Sequence, residues 1–392
     1  MVKSILDSDL YKFTQQNAVM RLFPDAIVRY EFFNRDNREF PEGFADALKR
    51  EIEKMSDLRL RDFEVDFLKK RAPFLPAVYR DFLRGYQFDP NEVKISQEGP
   101  KLRISFEGYW YRTILWETPT MATISELYFK MTGQQPLKRT ERKAINRKKA
   151  EFFDNYGIGY AEFGARRRFS FDNQIEVVDD LLKYGPNSLN GSSNPYIAMQ
   201  FNIPVIGTQA HEFFMFMAAK YGYLTANQTA LEKWVEVYQG SLGIALTDTF
   251  TTDVFFKDFT MKYAKLFDGL RHDSGDPRVF VNKTLRHYQK LGINPKSKTI
   301  VFSDGLNMAS VKAIHDYCSD FCQEQIKDSY GIGTNLTNDC GVKPLNIVIK
   351  LTGVLVNEGW VPTVKLSDDE GKHTGDSETV ELCKKILKIS LR

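Results

Sequence analysis

Ile203-Pro204-Val205-Ile206-Gly207-Thr208-Gln209-Ala210-His211-Glu212 is the stretch from which the rest of this chain is read. The first four residues are a short apolar run rich in β-branched side chains, the pattern of a buried strand. Phe213-Phe214-Met215-Phe216-Met217-Ala218-Ala219-Lys220 then reads as an apolar helix ending near Gly222. Gly207-Thr208 forms the turn between them, which puts His211 in the first turn of the helix. The positive end of a helix dipole disfavours imidazolium, so the ring is expected to be neutral and nucleophilic there. The same dipole and the free N–H groups would stabilise a phosphate carried on the ring. The plainer alternative is a histidine that satisfies its hydrogen bonds at the junction of two elements.

Downstream the same strand–polar turn–helix unit recurs. Leu242–Leu246 ends in Thr247-Asp248-Thr249, and Leu266–Leu270 ends in Arg271-His272-Asp273-Ser274-Gly275-Asp276. Thr299–Phe302 ends in Ser303-Asp304-Gly305, and Asp328–Tyr330 runs into Gly331-Ile332-Gly333-Thr334-Asn335. Helices are expected between them, at Pro277–Leu291 and Asn307–Lys327. Strands that alternate with helices and carry polar or glycine-rich C-terminal ends describe an α/β barrel with its site on that face.

The first third reads differently. A helix capped by Asp7 or Ser8 runs to about Leu22, and a strand covers Ala26–Phe33. A charged helical stretch spans Phe44–Leu83, followed by antiparallel strands at Val93–Ile95 and Leu102–Tyr111 around Glu98-Gly99-Pro100. Further helices are expected at Trp116–Met131 and Lys138–Tyr156. The tail returns to a strand at Asn346–Asn357 and a Lys-rich terminal helix.

The chain has 392 residues, of which 42% are hydrophobic and 27% charged, the balance of a soluble globular protein with a sizeable core. A formal net charge of +3 argues for neither nucleic acid nor membrane as a partner. No segment has the length of a signal peptide core or a membrane span, so a cytoplasmic location is expected. The four cysteines (Cys318, Cys322, Cys340 and Cys383) lack the paired spacing of a zinc site and read as reduced thiols.

Several groups could carry chemistry at the barrel mouth. Arg166-Arg167-Arg168 cannot all point one way, so at least one should turn inward, where guanidinium suits phosphate or carboxylate. Gly331 and Gly333 would let backbone N–H groups converge on an anion, although two such glycines also make an ordinary tight turn. Arg271 with Asp273 and Asp276 offers one cation and two carboxylates on one loop, and Asp304 adds another; Asp, Ser and Gly are also plain turn residues. Together these suit a sugar phosphate bearing pyrophosphate and a second, anionic substrate.

The chain resembles the bacterial nicotinate phosphoribosyltransferases. The resemblance is carried by Asp9-Leu10-Tyr11, Phe163-Gly164-Ala165-Arg166-Arg167-Arg168, Gly207 to Glu212, Arg271 to Asp276, Phe302 to Asn307 and Gly331 to Asn335, in family order over nearly the whole length. It implies an irregular α/β barrel, residues 121–354, capped by an α+β domain built from residues 1–120 and 355–392. It also implies a reaction in NAD biosynthesis: nicotinate plus phosphoribosyl pyrophosphate gives nicotinate mononucleotide and pyrophosphate, coupled to ATP hydrolysis. ATP enters as co-substrate, and Mg2+ accompanies both phosphate substrates.

By the same resemblance His211 is the phosphorylated residue, with Asp273 and Asp304 beside it in the catalytic set. Tyr11, Thr208 and Arg271 contact nicotinate, Thr334 with Gly331 and Gly333 the phosphoribosyl donor, and Arg167 and Arg168 add substrate contacts. Ser192 stands where the family pattern has threonine and keeps the hydroxyl. The expected partners are nicotinate, phosphoribosyl pyrophosphate and ATP, with a homodimer as the assembly to test. Rival readings are a sister transferase for nicotinamide or quinolinate, a barrel aldolase with Lys350 as its Schiff-base lysine, and a noncatalytic nucleotide sensor.

Overall fold

A computed structural model describes residues 1–322, 325–369 and 371–389. Its strands are β1 (Ile27–Asn34), β2 (Val93–Glu98), β3 (Lys101–Tyr109), β4 (Tyr160–Glu162), β5 (Leu189–Ser192), β6 (Ile244–Leu246), β7 (Gly269–His272), β8 (Thr299–Phe302), β9 (Lys327–Ile332), β10 (Ile347–Val356) and β11 (Gly359–Pro362). Hydrogen-bonded neighbours run β11-β10-β1-β3-β2 in one sheet and β5-β4-β9-β8-β7-β6 in the other. The first contains antiparallel pairs and draws strands from both ends of the chain; the second is built on parallel pairs with helices between its strands. This is the α/β part and the α+β part expected from the sequence. No helix among the described residues is long and apolar enough to cross a membrane.

The chain forms two compact units, one of residues 1–17, 30–207 and 331–350, the other of 18–29, 208–330 and 351–392. In the first unit β2 and β3 form a hairpin in register Glu98↔Lys101, and Gly99 supplies the positive φ of 55° that the turn requires. Leu102, Ile104 and Phe106 alternate inward along β3. The helix Phe44–Met55 buries Phe44, Leu48 and Ile52, and its Ala45 N–H donates to Gln97 Oε1 at 3.0 Å, one of its otherwise unpaired first-turn donors. Burial of each such side chain contributes about 1.5–3 kcal/mol. The strand expected at Ile203–Ile206 is reduced to a single bridge, Val205 to Ser192. Pro204 has no N–H to extend the ladder. Its carbonyl approaches so closely that a Cβ on Gly191 would sit 2.3 Å from it.

In the second unit β6, β7, β8 and β9 pair in parallel, with the helices Thr252–Asp258 and Met261–Leu266, Pro277–Lys290 and Met308–Asp316 in the intervening connections. The strand expected at Leu266–Leu270 begins instead at Gly269. Leu266 closes the preceding helix, so one apolar run serves two elements, which periodicity cannot divide. Gly269 permits close strand approach, since a Cβ there would lie 1.9 Å from the Thr299 carbonyl oxygen. The helix expected to reach Lys327 ends its α-helical part at Asp316 and gives way to a π-helical turn at Tyr317–Phe321. Lys327 already belongs to β9, and residues 323 and 324 of that stretch, like 390–392 of the tail, lie outside the described residues.

The helix His211–Tyr221 is buried almost all round from Glu212 to Ala218 and stops at Gly222, whose φ is 91°. His211 is thus its first residue, as the sequence indicated.

Candidate active site

In the second unit the ends of β6, β7 and β8 and the start of the His211 helix bring one cluster together. His211 Nε2 lies 2.8 Å from Asp248 Oδ1 and 3.6 Å from Asp273 Oδ2. A carboxylate only accepts, so the hydrogen bond fixes the tautomer: Nε2–H donates to Asp248 and Nδ1 keeps its lone pair. The other oxygen of Asp248 accepts from Ser274 Oγ at 2.6 Å and pairs with Lys365 Nζ at 3.0 Å. Burial, then the Lys365 ammonium, pushes the His211 ring down to about 4. Burial works against ionisation of Asp248, but its cationic and hydrogen-bonding neighbours hold it well below the usual carboxylate range. One carboxylate cannot neutralise two cations, and the ammonium takes the charge while the ring stays neutral.

Replacing Lys365 by methionine removes that positive neighbour and is therefore expected to raise the His211 pKa from about 4 toward its ordinary value. The ring resonances of the five histidines, followed through a pH titration, report this directly. An unmoved His211 midpoint would count against the lysine's role.

Arg271, at the end of β7, donates through Nε to Ser303 Oγ at 2.8 Å, through Nη1 to the Gln209 carbonyl at 3.2 Å and through Nη2 to Asp273 Oδ1 at 3.0 Å. Three of its five N–H groups are thereby fixed, and each terminal nitrogen retains one for a ligand. Desolvation would raise the carboxyl of the partly exposed Asp273, yet Arg271 and then His211 bring it down to about 2. Ser303 Oγ also lies 2.6 Å from Asp273 Oδ1. Thr208 Oγ1 donates to the Ile244 carbonyl at 3.0 Å, one strand-end away from Asp248. Asp304 is turned toward Lys372, 3.3 Å off, and makes no hydrogen bond to the His211 cluster among the described residues.

The liganding atoms of His211, Asp248 and Asp273 lie within 4.8 Å of one another, the spacing of a metal cluster. Their chemistry does not suit a resident ion, because Lys365 already stands against Asp248 and Arg271 against Asp273. Magnesium, which prefers one or two carboxylates plus substrate phosphates, fits better as an ion carried in on a phosphate ligand.

The first unit places the remaining candidates. The Arg166 guanidinium lies 5.7 Å from the centroid of the Tyr11 ring, and Lys12 Nζ lies 5.5 Å from it. Arg166 is held by Asp9 at 3.3 Å and Glu117 at 3.6 Å, and Lys12 pairs with Glu117 as well. Arg167 donates through Nε to the Ile347 carbonyl at 2.8 Å. Burial, with Arg166 and Arg35 as like charges nearby, lowers its pKa to about 10, so this guanidinium favours an added anion. Arg168 is fully buried, and both its terminal nitrogens donate to Asp7. The three arginines therefore face three environments: Tyr11, a carbonyl beside like charges, and an internal carboxylate.

Packing requires Gly331 and leaves little room at Gly333. A Cβ on Gly331 would fall 2.4 Å from the Phe163 ring, and one on Gly333 3.1 Å from the Phe163 carbonyl oxygen. Thr334 opens the short helix Thr334–Thr337 directly after them. The residues missed in the sequence are Asp248, Ser274, Ser303 and Lys365. Asp248 carried the same signal as Asp273, a carboxylate at a strand's C-terminal end, whereas Lys365 carried none.

The chain matches the model of the nicotinate phosphoribosyltransferase family over residues 158–391 and that family's N-terminal domain over residues 6–125. A curated nicotinate phosphoribosyltransferase from Desulforapulum autotrophicum is 51% identical over 389 residues, 99% of each chain. One from Chromohalobacter salexigens is 48% identical over the full length of both. The crystal structure of nicotinate phosphoribosyltransferase from Porphyromonas gingivalis superposes with a TM-score of 0.96 at 44% identity, covering 99% of this chain and 100% of that one.

Proposed function

Because the chain belongs to the nicotinate phosphoribosyltransferase family, we propose that it joins nicotinate to phosphoribosyl pyrophosphate, releasing pyrophosphate, and couples this to ATP hydrolysis through phosphorylation of His211. The product, nicotinate mononucleotide, makes the enzyme a contributor to NAD salvage. The observation that carries the coupling is the state of His211: a neutral ring at the first residue of a helix, Nε2–H engaged by Asp248, Nδ1 free of any donor among the described residues. Nδ1 attacks the γ-phosphorus of ATP, the bond to the bridging oxygen breaks, and ADP leaves with that electron pair. The N-terminal backbone N–H groups of the helix stabilise the phosphate now carried on the ring. Hydrolysis later returns inorganic phosphate and free histidine.

In the transfer step the pyridine nitrogen of nicotinate uses its own lone pair to form the bond to C1 of the ribose as pyrophosphate departs. That nitrogen bears no proton, so no general base is needed. Magnesium carried in on the donor would neutralise charge on the departing pyrophosphate. Arg271 is suited to the carboxylate of nicotinate through its two remaining N–H groups, with Asp273 and Ser303 holding the guanidinium in place. Tyr11 supplies an aromatic face, and the basic residues beside it supply charge for phosphate.

Arg271 also favours nicotinate over nicotinamide, which has no charge to offer it. Arg271→Ala is expected to lower kcat/KM for nicotinate by a factor on the order of 10²–10³ and to change any nicotinamide activity far less, with Arg271→Lys restoring little. Equal losses on acid and amide would assign Arg271 a structural role only.

The test of the whole reading is nucleotide formation from nicotinate, phosphoribosyl pyrophosphate and magnesium, with and without ATP, in wild type and His211→Ala. Stimulation by ATP that disappears in the variant supports both parts. Product with no ATP effect keeps the transferase and discards the phosphohistidine, and product only from nicotinamide or quinolinate moves the protein to a sister activity.

A further inference from the structure

Lys149 is a buried cation that no step of the reaction above uses. It sits on the helix Arg139–Asn155 and is only 2% exposed. Its ammonium pairs with Asp339 Oδ2 at 2.6 Å and donates to the Asn335 carbonyl. Burial lowers its pKa, while Asp339 works against that and favours the charged form. An ammonium taken out of water has to be offset by its partners, and an apolar side chain of the same volume serves packing as well or better. Stability alone therefore does not account for a lysine at this place. What distinguishes the lysine is what it grips. One partner lies inside the short helix Thr334–Thr337 and the other just past its end.

That helix is also seated on the arginine turn, within the same unit. Thr337 Oγ1 donates to the Gly164 carbonyl at 2.8 Å, Asn338 Nδ2 to the Arg167 carbonyl at 2.8 Å, and the Phe169 N–H to the Thr337 carbonyl at 3.1 Å. The fit leaves no slack, since a Cβ on Gly164 would lie 2.3 Å from Thr337 Oγ1. Lys149 adds a charged grip to these neutral contacts. It supplies the donor for a carbonyl near the helix's C-terminal end, one of those that so short a helix cannot pair within itself. The Thr334 hydroxyl, one residue before the gripped carbonyl, makes no hydrogen bond among the described residues and is left for a ligand.

We propose that Lys149 is a positioning residue for the phosphoribosyl donor: by tying Asn335 to Asp339 it fixes the segment that carries Thr334 and packs against the turn of Arg166 and Arg167. The inference rests on the transferase reading given above, with Thr334 on the donor. Lys149 itself touches no substrate. Without its ammonium the Asn335 carbonyl loses its donor and Asp339 its counter-charge, so both turn toward water and draw Thr334 out of register. The donor is then held less tightly. Nicotinate, whose carboxylate is assigned to Arg271, is affected far less.

The test is steady-state kinetics of nicotinate mononucleotide formation, with nicotinate and phosphoribosyl pyrophosphate varied in turn. It compares wild type with Lys149→Met, Asp339→Asn and the double variant. Lys149→Met is expected to raise KM for the donor about tenfold, with kcat and KM for nicotinate within about twofold of wild type. The Asp339 side chain is 46% exposed, so Asp339→Asn should fold and carries the test should Lys149→Met not fold. It is expected to raise the donor KM about threefold. Because the two residues act as one pair, the double variant should be no worse than Lys149→Met alone. A donor KM within about twofold of wild type in every variant that folds overturns the inference. Equal rises in both KM values overturn it too, since a general loosening of the fold gives that result. A lowered urea midpoint with both KM values unchanged makes Lys149 a packing residue only. Wild type that forms no nucleotide from nicotinate overturns the transferase reading, visibly before any variant is compared, and this inference with it.

Discussion

Asp248→Asn is expected to cut phosphate uptake by His211 at least about a hundredfold without unfolding the protein. Asp248 accepts on both oxygens, from the His211 ring on one and from Ser274 and Lys365 on the other. Asparagine keeps one acceptor and turns the second into a donor. With its NH2 facing the ring, Nε2 must become the acceptor, the proton moves to Nδ1 and the nucleophilic lone pair is lost. With its oxygen facing the ring, the NH2 group meets the Lys365 ammonium and leaves a buried cation without a partner. Neither arrangement gives a correctly oriented neutral ring with a free Nδ1. Asp273→Asn should cost less in this assay, because Asp273 stands 3.6 Å from Nε2 and mainly holds Arg271. Incorporation of the γ-phosphate of ATP, measured on folded protein over seconds to minutes, decides the matter. Incorporation within threefold of wild type would show that Asp248 does not position the ring.

The half of this site that was legible in the sequence is the half that follows strand polarity. β6 and β8 are short, mostly apolar runs between helices, and β7 turns polar within the strand at Arg271 and His272; a parallel strand buried on both faces stays apolar until it nears the polar loop at its end. Asp273 and Asp304 were visible for that reason, and Asp248 and Ser303, which were missed, stood at equivalent places. β4 and β5 escaped because they have only three and four residues and carry buried polar side chains, Glu162 and Ser192, that pair with each other. Glu162, fully buried, accepts from Ser192, Gln174 and the Gly164 N–H. Lys365 was invisible for a different reason. It arrives from the tail through backbone pairing, the Leu366 N–H donating to the Thr249 carbonyl at 2.7 Å, and no local pattern encodes a contact of that sequence separation. The arginine run lies between these cases. Consecutive side chains in a tight turn must diverge, so an inward arginine was foreseeable, but its identity depends on where Asp7 ends up.

That dependence makes Arg168 the position of largest expected stability effect. Its side chain is 0% exposed and Asp7's 1%, and the two meet through paired contacts of 2.7 and 2.8 Å, with Gln174 and Asn194 completing the set. Arg168→Met should destabilise the first unit by about 3–5 kcal/mol, because it leaves a carboxylate buried without its counter-charge. Asp7→Asn in the same background removes that orphaned charge and should recover part of the loss, so the double variant is expected to be more stable than Arg168→Met alone. Arg166, with its side chain 38% exposed, is the internal control: Arg166→Met should cost under about 1 kcal/mol in stability. Urea unfolding read at the same transition for all four proteins separates these outcomes, since two compact units need not unfold together. An Arg168→Met variant within about 1 kcal/mol of wild type would mean that the buried pair contributes little beyond the cost of its own desolvation. The wild-type arginine would then have to be explained by what it orients, the turn that presents Arg166 and Arg167, and its loss should appear in substrate affinity with stability unchanged.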